Sequence, residues 1–278
     1  MRIVKRLGVV MIFVAAACGG KDDVYPVDAP QVDAAVDTPL DAADLDAADL
    51  DAADLDAEPD APVDAAPDTG GALAGFGDIT GDCGVLTLVE LDGTQPLWFQ
   101  GDLTFSNRYD DPDERDLLTP GGQQIMSDGN AGGSSVFSEV FAYEWLARCE
   151  QAGLVKTETQ IAYDIPTSKK ADLLVEIDGR KVGVSVTRAM TFPFGQPYTL
   201  TAATTLFERK LDDLQLATQH VVAADLWTKQ MVVAEAYDLQ HAQVAMQAWV
   251  GLDDETRGSA ILIVAVTNGD DQFIYTDH

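Results

Sequence analysis

The stretch Ala171-Asp172-Leu173-Leu174-Val175-Glu176-Ile177-Asp178-Gly179-Arg180-Lys181-Val182-Gly183-Val184-Ser185-Val186-Thr187-Arg188-Ala189 decides the fold. Two runs of β-branched and aliphatic residues, Ala171–Ile177 and Lys181–Ala189, are joined by Asp178-Gly179, a tight-hairpin signal. On the second run Val182, Val184 and Val186 alternate with Lys181, Gly183, Ser185 and Thr187. On the first, Asp172, Leu174 and Glu176 share one face. An acid at the start of one strand is therefore set across a tight turn from two hydroxyls.

Working outward, Glu158–Ile165 reads as a further strand. Ser138–Gly153 reads as a helix, because Val136, Val140, Phe141, Trp145 and Leu146 recur at helical spacing and Gly153 supplies a stop. Downstream come a helix at Leu200–Ala217, a strand at Trp227–Tyr237, a helix at Gln240–Leu252 and an apolar strand at Ala260–Val266. Asn268-Gly269 reads as a hairpin leading into Phe273–Thr276. Upstream, Val85–Leu91 and Leu97–Ser106 read as two strands, Tyr109–Asp116 as an acidic loop, and Gly121–Ser135 as loop-rich. Strands interleaved with helices predict an α/β domain over 71–278. Its mixed central sheet is flanked by helices and carries an N-terminal β-hairpin extension.

The charge is uneven. The 278 residues hold 17 Lys+Arg and 47 Asp+Glu, a formal net charge of -30. About half of that lies in residues 21–70, where Leu40, Leu45, Leu50 and Leu55 open near-identical units of Leu-Asp-Ala-Ala-Asp type. A period of five matches neither helix nor strand, so no continuous apolar face forms and burial cannot offset chain entropy. Residues 18–70 are expected to be a solvated tether, reaching on the order of 150 Å if polyproline-like and nearer ~40 Å as a coil. Such a balance excludes a broad nucleic-acid-binding surface, which needs cations to displace condensed counterions.

Arg2, Lys5 and Arg6 precede the apolar run Leu7–Val14, which is too short to span a bilayer. The run ends in Ala15-Ala16-Ala17-Cys18-Gly19-Gly20. Small residues before a lone Cys resemble the lipobox of bacterial lipoproteins, although Ala15 stands where Leu is commoner. The resemblance implies a signal peptide over residues 1–17, lipidation of Cys18, a membrane partner through that anchor, and an envelope location. Gly19 in place of Asp points to the outer rather than the inner membrane. An ordinary signal peptide cleaved near Ala17 is the alternative. Cys83 and Cys149 then remain as an even pair in an exported chain, which suggests a disulfide; two buried thiols are the other reading.

The order of helix, strand hairpin and helix resembles the PD-(D/E)xK nuclease-like superfamily over residues 138–237. The resemblance implies a restriction-endonuclease-like core. It matches Glu139 to the helix acid and Asp172 to the hairpin Asp, a pair that would hold a metal. The Glu-x-Lys triplet falls on Ser185-Val186-Thr187, where both the acid and the lysine are missing. Arg188 or Lys210 is placed to supply the cation. Two readings follow. In one, the chain presents a nuclease-like domain that binds an unidentified protein or small molecule without hydrolysis. In the other, it is an exported Mg²⁺-dependent nuclease or phosphodiesterase using Glu139 and Asp172, with Ser185, Thr187 or Lys210 in support. A purely structural envelope protein, with Asp172, Glu176, Ser185 and Thr187 as solvated hairpin residues, is a third.

Other signals are poorer. His220 and His241 lack zinc-type spacing and His278 ends the chain, so surface or capping roles are expected. Ser134 and Ser135 follow two glycines without a nucleophile elbow and are expected to cap the helix. Asn130–Ser135 leads into that helix as an anion cradle would, without the Walker lysine.

Overall fold

A computed structural model describes residues 72–109, 112–130, 135–193 and 196–276. The expected signal peptide, Cys18, the tether, Asp110, Asp111, Ser134 and His278 lie outside the described residues. In chain order the elements are β1 (Gly77–Gly81), α1 (Leu88–Asp92), β2 (Leu97–Phe105), a 3-10 turn (Pro112–Leu117), α2 (Pro120–Asp128), α3 (Val136–Glu150), β3 (Gly153–Thr157), β4 (Leu173–Ile177) and β5 (Arg180–Ala189). They continue with α4 (Leu200–His220), β6 (Lys229–Ala236), α5 (Leu239–Gly251), α6 (Asp254–Arg257), β7 (Ile261–Gly269) and α7 (Gln272–Tyr275).

The strands form one mixed sheet in the order β1-β2-β7-β6-β5-β4-β3. Strands β2, β7, β6 and β5 run parallel, while β1 closes one edge and β4 with β3 the other in antiparallel fashion. The sequence explains this division. Parallel strands are buried on both faces, so they read as unbroken apolar runs, and every residue from Ile261 to Val266 is at most 1% exposed. One face packs Val182, Val184, Met231, Val233, Ile261 and Ile263 against α3. The other packs Val232, Ala234, Leu262 and Val264 against Phe207 of α4 and Trp249 of α5.

Helix α3 is buried almost all round, Glu139, Glu144, Arg148 and Glu150 included. An apolar stripe would not produce that; this helix is enclosed by the sheet on one side and by α2, α7 and the 84–86 loop on others. Its Phe141 meets Phe76, Phe105 and Phe273 edge to face, with ring centroids 5.1–5.4 Å apart.

Several expected elements differ. Val85–Leu91 is not a strand: Thr87 and Glu90 form a capping box and start α1, and the strand pairing with β2 is β1. The partner strand of β2 thus begins eight residues further upstream than the sequence suggested. With α1 between the two strands and β2 paired to β7, they belong to the one central sheet rather than to a hairpin extension of it. Gly121–Ser135 contains α2, which Thr119 caps and Pro120 opens at a position where a missing N–H costs nothing. Glu158–Ile165 is not a strand, because β3 begins directly at Gly153 and ends at Thr157. No hairpin follows Asn268-Gly269. Phe273 is drawn instead into the aromatic cluster with Phe105 and Phe137, so the segment closes as the single turn α7.

One mismatch in strand length creates room for chemistry. Strand β4 pairs with β5 only from Leu173↔Val184 to Ile177↔Arg180. Beyond Val184, β5 runs on with β6 alone, and the flank left by β4 is where α3, α4 and the end of β3 converge.

Candidate functional site

Asp172 precedes β4 and continues its register, donating its own N–H to Val184 O at 2.9 Å. Its Oδ2 accepts the Ser185 hydroxyl at 3.0 Å and the Val186 N–H at 2.5 Å. Lys210, on the α4 face that looks onto β5, places Nζ 3.7 Å from the same oxygen. That ammonium donates to Ser185 Oγ at 3.2 Å and to Val186 O at 2.7 Å. The Ser185 hydroxyl and the Val186 N–H thus fix the acid's orientation through charge-assisted hydrogen bonds, with the Lys210 ammonium beside it as an ion pair.

Glu139 arrives from the first turn of α3, on the opposite face of the sheet, and meets Asp172 around the free flank of β5. It is 4% exposed. Asn130 Nδ2 donates to its Oε1 at 2.7 Å and Ser135 Oγ at 3.3 Å. Burial pushes its carboxyl up to about 8, helped by the negative charges of Asp172 and Glu158 and opposed by Asn130 and Ser135. Ligand atoms of Glu139, Glu158 and Asp172 all lie within 4.8 Å of one another. Glu139 and Asp172 border a cavity of about 200 Å³ that Ser135, Ser138, Thr187 and Lys210 also line.

The five residues singled out in the sequence, Glu139, Asp172, Ser185, Thr187 and Lys210, therefore sit together. Glu158 was missed, and the register shows why. Thr157 pairs with Leu173, so Glu158 is the next residue outward on its side and stands opposite Asp172. A strand begun at Glu158 hides that; one ended at Thr157 reveals it. Ser135 occupies the N-cap position of α3 but makes no side-chain cap bond, and is turned to Glu139 instead. The capping expectation for Ser135 is thereby corrected.

No family model and no solved structure matches the chain. A Dictyostelium discoideum protein described as AAC-rich mRNA clone AAC4 protein is 35% identical over 154 residues, which is 53% of this chain. This chain spans 22% of that relative's length.

Beneath the site lies Glu235 of β6, fully buried. Burial holds its carboxyl well above the ordinary range; Glu139 and Asp271 add to this, while Ser138 and Arg188 oppose it. Ser138 is near enough to favour the ionised form, yet its hydroxyl is turned to Ile274 O at 3.4 Å, and neither Glu235 oxygen has a hydrogen bond of good geometry. An uncharged acid is what such a position tolerates.

Away from the site, Cys83 and Cys149 are joined in a disulfide with Cα atoms 4.7 Å apart. Next to it, Glu150 accepts backbone N–H groups from Gly84, Val85 and Leu86 at 3.0, 3.3 and 2.8 Å. His220 Nδ1 lies 3.1 Å from Asp164, and His241 Nδ1 2.6 Å from Asp238, the residue that caps α5. Among the described residues no helix is long and apolar enough to cross a membrane.

Proposed function

We propose that the cavity around Asp172 is a divalent-cation-dependent phosphodiester-hydrolysing centre of the PD-(D/E)xK kind. The observation that carries this reading is the convergence of three carboxylates within 4.8 Å beside the Lys210 ammonium. Hard oxygen donors suit Mg²⁺ or Mn²⁺. A buried carboxyl with a pKa of about 8 suits a group whose ionised form awaits a cation. Glu139, Glu158 and Asp172 are the residues to hold it. Once bound, it would polarise a phosphoryl oxygen and lower the pKa of water.

The chain's own groups supply the rest. Lys210 brings a positive charge to the phosphate and to the attacking water's position. Ser185 and the Val186 N–H keep Asp172 aimed, and Asn130 with Ser135 hold Glu139. Relative to the superfamily pattern, Glu158 replaces the acid absent at Ser185, and Lys210 replaces the lysine absent at Thr187. Both arrive from neighbouring elements rather than from β5.

Purified protein with Mg²⁺ or Mn²⁺ is expected to hydrolyse bis(p-nitrophenyl) phosphate, with a loss of at least about 100-fold in Asp172→Asn. Absence of hydrolysis with every divalent metal tried would overturn this reading. The non-hydrolytic binding reading would then stand. It has its own support: Asp172 Oδ2 is already held by Ser185, Val186 and Lys210, a network that is satisfied without a cation.

The same proposal places the protein outside the cytoplasm, held at the cell envelope, and at the outer membrane rather than the inner, through lipid on Cys18. The Cys83–Cys149 bridge supports an oxidising compartment. Labelling with an alkyne fatty acid is expected to mark the wild type and not Cys18→Ser; equal labelling of both would refute the anchor.

A further inference from the structure

We infer that a second, larger cavity beside the carboxylate site is a pocket for a single nucleotide-sized unit: a phosphate ester bearing a planar ring. The inference rests on the phosphodiester reading above and names its substrate class. The cavity has a volume of about 530 Å³ and shares Thr187 and Arg188 with the carboxylate cavity, so the two adjoin. That volume is within the ordinary range for small-ligand sites.

The walls divide into two chemistries. Arg188 and Arg209 supply guanidinium groups, which match phosphate oxygens in a planar fork. Arg188 Nη1 is held by Ile274 O at 3.3 Å, which fixes its direction. Arg209 and Lys210 are consecutive on α4 and diverge by about 100° around it, as successive helical residues must. One therefore serves the larger cavity and the other serves Asp172. The other chemistry is aromatic. Phe192 lines the cavity with 80% of its surface exposed, while Tyr198 and Tyr275 are buried behind it. An exposed ring among cations stacks on a base and offers nothing to a bare sugar phosphate.

Size and charge set the limit to one or two units. Residues 71–278 carry 31 acids and 13 bases, and three of those bases line the two cavities. A duplex would extend many phosphates over the acidic remainder of the surface, beyond the about 8–10 Å over which these cations act. A short single-stranded end places its ester at Lys210 and its neighbouring base at Phe192.

Calorimetry on the full mature chain carrying Asp172→Asn, chosen to prevent turnover, tests this. The probes are 5′-phosphorylated thymidine dinucleotide, deoxyribose 5-phosphate and a 20-base-pair DNA duplex. The dinucleotide is expected to bind at least about tenfold more tightly than either other probe, and to lose at least about tenfold on adding Phe192→Ala or Arg209→Gln. Both side chains are exposed, and unchanged melting temperatures would certify folding. No dinucleotide binding at millimolar concentration, binding unmoved by both variants, or equal affinity for the duplex would each overturn the pocket. Hydrolysis of bis(p-nitrophenyl) phosphate by the wild type, without dinucleotide binding, would overturn the pocket and leave the reaction standing. Dinucleotide binding of the expected kind without hydrolysis would support the pocket and overturn the reaction alone.

Discussion

Lys210 Nζ lies 3.7 Å from Asp172 Oδ2, and the same ammonium donates to the Val186 carbonyl at 2.7 Å. A helix and two strands are thereby tied at one acid. Lys210→Ala leaves Asp172 with both of its hydrogen-bond donors, Ser185 and the Val186 N–H, so the carboxylate stays in place while its cationic neighbour is gone. Phosphodiester hydrolysis is expected to fall about 100-fold or more, mainly in kcat. Lys210→Arg keeps the charge and is expected to recover part of the loss. Equal activity in wild type and Lys210→Ala would remove this lysine from the chemistry.

Glu158 supplies the third carboxylate. Glu158→Gln keeps the shape and the hydrogen-bonding capacity and removes the charge. It is expected to weaken Mn²⁺ binding by about tenfold or more, read by calorimetry, with little change in melting temperature because the side chain is only half buried. Unchanged Mn²⁺ affinity would exclude Glu158 from the ligand set.

These two residues show where the sequence could be read and where it could not. The hairpin at 171–189 was legible because alternation and Asp178-Gly179 are local signals, and Asp178 does adopt the positive φ such a turn requires. The interleaving of strands and helices, and hence the mixed sheet, followed from it. Glu158 was hidden because its role depends on where β3 stops, a boundary that pairing with β4 sets. Helix α2 was hidden because Gly121 and Gly122 speak against a helix, whereas the fold needs them small: a Cβ on Gly121 would run into the Tyr143 ring, and one on Gly122 into the Glu144 carboxylate. Phe273 was misread because its burial among other aromatic rings outweighed its preference for a strand.

Glu139 predicts a pH dependence of stability in the presence of chelator. Its folded pKa of about 8 exceeds the ordinary value of 4.5, so the folded chain binds the proton more tightly than the unfolded one. The protonated form favours folding below about 4.5, and that contribution is lost as pH rises through about 8. Urea midpoints are therefore expected to fall over this window. Other buried acids, Glu235 among them, add slopes of the same sign. The difference between wild type and Glu139→Gln isolates the term: the variant's curve is expected to be flatter. Parallel curves would mean that Glu139 ionises in the folded protein as it does in water.

The Cys83–Cys149 bridge closes a loop of sequence separation 66. Chain-entropy arguments give about 4 kcal/mol for a loop of that length. Reduction is expected to lower the urea midpoint of the wild type and to leave that of Cys83→Ser unchanged. The 84–86 loop is also expected to lose amide protection, because the Glu150 carboxylate that receives its three N–H groups would no longer be held beside it. A reduced protein with full protection at Leu86 would show that Glu150 alone suffices.

Glu144 and Arg148 test whether the buried helix behind the site is held by charge. Arg148 Nε meets Glu144 Oε2 at 2.8 Å, with 7% and 1% of the two side chains exposed. The guanidinium also reaches Ala72 O at 3.1 Å and Leu117 O at 3.3 Å. The other Glu144 oxygen accepts both Thr119 N–H and its hydroxyl, at 2.8 and 2.7 Å, so it holds the residue that caps α2. Removing one partner leaves a buried charge unpaired, which costs about 3–5 kcal/mol. Glu144→Ala is expected to destabilise by that amount in urea unfolding and to loosen α2. Glu144→Leu with Arg148→Met replaces both charges by packing of similar volume and is expected to recover most of the loss. Were the double variant no more stable than Glu144→Ala, the cost would lie in the lost cap at Thr119 rather than in the stranded guanidinium.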